Sequence, residues 1–233
     1  MKITRKEIKR DELVEGLSGL AESVRLHSRS VAIAAGAVVL LAAAVAGGFW
    51  YSRSRAAEAR LKLAAVYRVM ATPAADEGAP GAAYATRRQK FEAVIRLADV
   101  VIADHPSSSG AKWATYYKAV GQKEVGDLAG ALQTLGQIAS DPDQFLSSSA
   151  RFQQAQVHEA QGDAAGALEI YAGLVTSSPA QFPIEMAMMG QARLLEGQGK
   201  IDEAREIYRR VTEEYPDSPY SREASQRLSP ASS

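Results

Sequence analysis

The side chains able to do acid–base or metal chemistry in this chain of 233 residues are few and scattered. The three histidines, His27, His105 and His158, lie far apart in sequence. His105 stands in ADHPS, a helix-end pattern, and His158 falls in the middle of a helical stretch. With no cysteine there is no disulfide framework and no thiolate metal site, a composition that fits either side of a membrane. No Gly-rich phosphate loop, HExxH or GxSxG occurs. The carboxylates Glu203, Glu206, Glu213 and Glu214 read as one solvated helical face. Formal charge is zero overall, so no basic field marks a nucleic-acid binder. The expectation is a protein with no catalytic, cofactor or metal site, whose work is recognition.

The elements that would present a recognition surface repeat along the chain. Gly126, Gly162 and Gly199 are 36 and 37 residues apart, and Ala131, Ala167 and Ala204 keep the same steps. So do Leu135, Tyr171 and Tyr208, one helical turn further on, and Ala119, Ala155 and Ala192 upstream of the glycines. Pro142, Pro179 and Pro216 recur every 37 residues, and Pro106 sits 36 before the first. Self-similarity at such a period is the signature of a repeat architecture. Each unit reads as a helix ended by a glycine, which tolerates the left-handed conformation. A second helix follows, capped by Asp127, Asp163 and, in the third unit, Asp202. The small residue lets the two helices approach, and the proline ends the second helix. Such a helical pair cannot bury its apolar stripe alone, so the units must stack.

These columns resemble the tetratricopeptide repeat (TPR) over roughly Gly110 to Pro216. Two departures stand out. The period is 36 to 37 rather than about 34. The leucine expected before the first small residue is Lys118, Gln154 and Gln191, while a bulky residue stands two positions earlier, at Tyr116, Phe152 and Met189. The resemblance implies that first helices line a concave surface. Trp113, Tyr116, Phe152, Met186 and Met189, with Gln156, Arg193 and Glu196, would then form a groove for proteins or peptides. The rival reading is that Tyr116, Phe152 and Met189 fill the core in place of the missing leucines.

The other end of the chain is different in kind. Val31 to Tyr51 is 21 residues without a charge, about the thickness of the hydrocarbon layer as a helix. Trp50 and Tyr51 stand at one edge, where such rings prefer the interface. A buried core helix and a signal peptide cleaved after Ala44-Val45-Ala46 are the rivals. The first 30 residues carry seven Lys/Arg, whereas the 19 residues before the span carry two and the 19 after it five. The whole tail favours a cytoplasmic N-terminus, and the local count favours the reverse. In the tail, Leu13, Leu17, Leu20 and Val24 fall at helical spacing, which suits a surface helix or a loosely ordered charged tail.

Taken together, a charged tail beginning MKITRKEIKRDEL, one span and directly attached TPR units resemble the bacterial inner-membrane family of the ancillary subunit of the SecYEG translocon. That resemblance implies a cytoplasmic tail and periplasmic repeats that bind envelope chaperones or the translocon. A general envelope-assembly or cell-division adaptor, or a structural subunit of a larger membrane complex, would share the architecture. The expected fold is all-α: a transmembrane helix, then a TPR-like α-solenoid of three to four helix–turn–helix units. The expected divisions are a tail over 1–30, the span over 31–51 and a degenerate first repeat over 52–109 with a loop at 73–82. Three TPR units over 110–219 and a capping helix and tail over 220–233 complete the chain.

Overall fold

The computed structural model describes residues 28–79 and 81–229. Among the described residues there are nine α-helices, one short 3-10 turn and no strand. The helical pattern expected for Leu13 to Val24 lies outside them.

The chain divides between Ser54 and Arg55 into two units. Helix α1, Ser28–Ala71, supplies all the described residues of the first. There Val38, Leu40, Leu41, Val45, Phe49 and Trp50 are each 65–73% exposed. Gly36–Ala71 is long and apolar enough to cross a membrane by length and composition, and none of its apolar window is buried.

In the second unit the remainder of α1 has one buried face. Ala59, Leu63, Val66 and Val69 recur at helical spacing and are at most 9% exposed. The last three pack with Phe91, Val94, Ala98 and Val101 of α2, Arg87–Asp104. Two cations of α1 hold the C-terminal end of α2. Lys62 Nζ donates to Asp104 Oδ2 at 2.5 Å, and Arg55 Nη2 donates to the Asp104 carbonyl at 2.9 Å. Positive charge is favourable at a helix C-terminus. Between α1 and α2 lies a 3-10 turn, Ala75–Glu77.

Three helical hairpins follow. They are α3 (Ser109–Glu124) with α4 (Leu128–Gly136), α5 (Gln144–Ala160) with α6 (Ala164–Ser177), and α7 (Ile184–Gly197) with α8 (Ile201–Glu214). Helix α9, Pro219–Leu228, packs on the last hairpin through Ala224. Each helix packs on the next in the sequence, and α3 also touches α5, as α7 touches α9. The result is a solenoid of stacked pairs.

The hairpin turns follow from backbone sterics. Gly126, Gly162 and Gly199 have φ of +90°, +78° and +77°, a region that side chains disfavour. Asp127 and Asp163 come next, and their carboxylates accept from the backbone N–H of Gly130 and Gly166 at 2.9 and 3.0 Å. The third hairpin keeps the same turn length, so Lys200 takes the cap position with no side-chain cap bond. Asp202 is therefore not the cap; it stands in the first turn of α8, where its charge favours the positive helix end. Two closing prolines act as expected, since α6 ends at Ser177 with Ser178 extended before Pro179 and α8 ends at Glu214 just before Tyr215 and Pro216, whereas the first acts less directly. Helix α4 stops at Gly136, well before Pro142, and Ile138 N–H bonds back to the Leu135 carbonyl in a tighter turn.

The small-residue columns are the contact lines. Ala119, Ala155, Ala192, Ala131, Ala167 and Ala204 are at most 1% exposed. A close approach between hairpins is that of Gly190 on α7 to Tyr171 on α6, where an added Cβ would lie 2.5 Å from the Tyr171 ring.

Candidate protein-binding surface

The first helices α3, α5 and α7 carry every residue expected at the groove, and the structure sorts those residues into two groups. Phe152 is 5% exposed and Met189 fully buried. Phe152 packs on the rings of Tyr171 and Phe182, 5.7 and 6.3 Å between centroids. Met189 lies in a core with Tyr208, Val211 and Ala224. Both side chains thus lie within the core clusters of the solenoid. Met186 is half-buried against the same core as Phe152.

The other residues remain accessible. Trp113 and Tyr116 are half-buried on α3. They belong to a run of rings from Tyr67 through Tyr117, Tyr116 and Trp113 to Phe145. Successive centroids are 5.1, 5.1, 5.6 and 5.9 Å apart, the first three edge-to-face, a favoured arrangement of aromatic quadrupoles. The ends of the run, Tyr67 and Phe145, are 43% and 39% exposed. Burial and the neighbouring phenol of Tyr67 push the Tyr117 hydroxyl up to about 12, so the run is neutral at physiological pH.

A polar cluster bridges α3 and α5. Lys123 Nζ donates to Gln153 Oε1 at 2.9 Å and to Gln156 Oε1 at 2.5 Å. Gln153 Nε2 donates to the Tyr116 hydroxyl at 3.2 Å. Burial holds the Lys123 ammonium below the ordinary lysine range, with Glu124 at 3.7 Å acting in the opposite sense. The cluster thus presents a partly desolvated cation beside two amides. Gln156 is brought together with Tyr116 in this cluster. Arg193 and Glu196 stand apart from it, on α7, and both reach to α9. Arg193 lies 3.7 Å from Glu223, and Glu196 accepts from Arg227 at 3.2 Å.

Lys123, Gln153 and Glu159 were not among the expected residues, and Glu196 was expected at the groove rather than as the partner of Tyr208 in a pair that repeats Tyr171–Glu159. The two pairs left a signal, a glutamate 12 residues before each tyrosine and 37 residues apart in successive units. Among the described residues no three His, Cys, Asp or Glu side chains gather into a metal-binding set. His105 is buried with neither ring nitrogen hydrogen-bonded among those residues.

A tetratricopeptide repeat-like domain matches residues 27–228. The chain belongs to that family. Two solved structures are similar to it. One, of nearly identical TPR-like repeats from Podosopora anserina, has 15% identity and a TM-score of 0.48 over 76% of this chain and 82% of that one. A single-substitution form of the same repeats has 14% identity and a TM-score of 0.49 over the same shares. No curated protein matches the sequence. A TPR-like domain suggests a protein-interaction scaffold, since such repeats generally bind proteins or peptides.

Proposed function

We propose that this TPR protein is a membrane-anchored adaptor of the bacterial cell envelope. Residues 31–51 hold it in the inner membrane, residues 1–30 stay in the cytoplasm, and the repeats stand in the periplasm. There they bind proteins or peptides on their concave face, the Sec translocon and envelope chaperones among them, without catalysis or nucleic acid. The observation that carries this reading is an uncharged helical run with its large apolar side chains exposed, in the same chain as a TPR-like domain. Exposed apolar surface on that scale marks an interaction with lipid or protein. The seven positive charges of the tail and the resemblance to the translocon-associated family support the orientation.

Protease added to intact spheroplasts tests it. The repeats should be digested and an N-terminal fragment protected. Protected repeats, or a soluble product beginning near Gly47, would refute the topology. Crosslinking in cells followed by mass spectrometry tests the partner. Translocon subunits and periplasmic chaperones are expected, and division or assembly proteins alone would replace the translocon reading.

A further inference from the structure

The extra residues that lengthen the repeat are themselves repeated. Pro142-Asp143-Gln144-Phe145 and Pro179-Ala180-Gln181-Phe182 stand 37 residues apart, each just after the second helix of one hairpin and before or at the start of the next. The two copies meet at one open cavity of about 660 Å³, lined by Pro142, Asp143, Gln144, Phe145, Pro179 and Gln181. Their phenylalanines take opposite courses. Phe182 is 5% exposed and packs on Phe152, 6.3 Å between centroids. Phe145 is 39% exposed, with its ring tilted against Trp113 and its remaining surface at the cavity.

Among the described residues, the side-chain amides of Gln144 and Gln181 make no hydrogen bond. Asp143 Oδ1 caps α5 by accepting from the N–H of Phe145 and Leu146 at 3.1 and 3.2 Å, and Oδ2 accepts nothing. Asp143 is the single formal charge of the lining.

We infer that this inter-repeat cavity is a docking site for an extended segment of a partner protein, with an apolar side chain seated on Phe145 and a lysine or arginine beside it paired with Asp143. The volume falls in the range of about 300–1,000 Å³ usual for clefts that hold a ligand through apolar walls and a few polar groups. Each glutamine offers one acceptor and two donors, the complement of a peptide unit's N–H and C=O. The negative lining selects the basic neighbour by charge complementarity. The inference rests on the scaffold reading and places one of its contacts at the junction between hairpins, away from the Lys123 cluster.

The test is selection of a phage-displayed random dodecapeptide library on the full-length protein in detergent micelles. Selected peptides are then measured by fluorescence polarisation on wild type, Phe145→Ala and Asp143→Asn. Asparagine caps a helix as well as aspartate, so Asp143→Asn removes the charge and keeps the fold. The expected peptides carry an apolar residue next to Lys or Arg. Their binding should weaken at least tenfold in Phe145→Ala and at least threefold in Asp143→Asn. Peptides that bind all three proteins alike overturn the cavity and leave the scaffold reading standing. No enrichment above empty micelles overturns both. Self-association of the wild type that Phe145→Ala abolishes assigns the cavity to a second copy of this chain and overturns the partner reading.

Discussion

The Tyr208 hydroxyl on α8 donates to Glu196 Oε2 on α7 at 2.9 Å, and one repeat earlier Tyr171 donates to Glu159 in the same relation between α6 and α5. Each bond ties the two helices of one hairpin, and each phenol must stay protonated to donate. Burial, then the adjacent carboxylate, pushes the Tyr208 hydroxyl up to about 12 from an ordinary value of 10.0, and Tyr171 higher still. A phenol whose folded value is raised adds stability that is complete below the unfolded value and is lost as pH rises through the folded one. Thermal unfolding should therefore hold steady up to about pH 10 on this account and fall above it. The double variant Tyr171→Phe, Tyr208→Phe should melt lower at pH 7 and lose much of the alkaline slope. Hydrogen bonds to charged groups are worth about 1.5–3 kcal/mol each, with the half-exposed Glu196 at the low end. An unchanged slope between pH 10 and 12 would remove the phenols from the account.

Phe152→Ala should act on stability. The ring is enclosed by Tyr171 and Phe182, and truncating a core phenylalanine costs about 3–5 kcal/mol. In a domain of this size each kcal/mol moves the midpoint by about 2–4 °C, so a fall of about 10 °C is expected. Differential scanning calorimetry measures it. Loss of crosslinked partners with an unchanged midpoint would return Phe152 to the surface.

Ala167→Trp should be disruptive. Ala167 is fully buried, and overpacking at such a site costs about 1–3 kcal/mol or more. The check is the urea midpoint at constant m-value. A midpoint within error of the wild type would mean that the helices do not meet at Ala167.

A turn glycine between α5 and α6 can be ranked against Gly197, the last residue of α7. Gly162→Ala places a side chain at φ +78°, whereas Gly197→Ala meets nothing within 4 Å and adds a better helix former. The first should lower the melting temperature and the second raise it slightly. Equal effects would show that the positive φ at the turn is not what the glycine supplies.

The parts of this architecture legible before the structure are those where one residue type answers one local demand. Gly126, Gly162 and Gly199 announce the turns because other residues avoid their φ, and Asp127 and Asp163 announce the caps because a carboxylate satisfies free N–H groups. Lys200 hid the third cap, since there the turn geometry is kept without the capping chemistry. Gly136 ended α4 where the proline column pointed further on. The column of Tyr116, Phe152 and Met189 was visible, but its periodicity says only that the three share a register. Whether a given ring meets core or solvent depends on neighbours such as Phe182, which arrives from the next junction. The Lys123 cluster was out of reach for the same reason, because its partners stand 30 and 33 residues away on another helix.

Tyr171 serves two hairpins. Its hydroxyl and one ring contact belong to α5, while the rest of its ring lies where Gly190 of α7 leaves out a side chain. A cut between α6 and α7 would strip one wall from that ring, so neither half would keep the stability it has in the whole. The repeat that is the unit of the sequence is thus too small to be the unit of unfolding. A disturbance felt by one hairpin is carried to the next through a shared core of which Tyr171 is one wall.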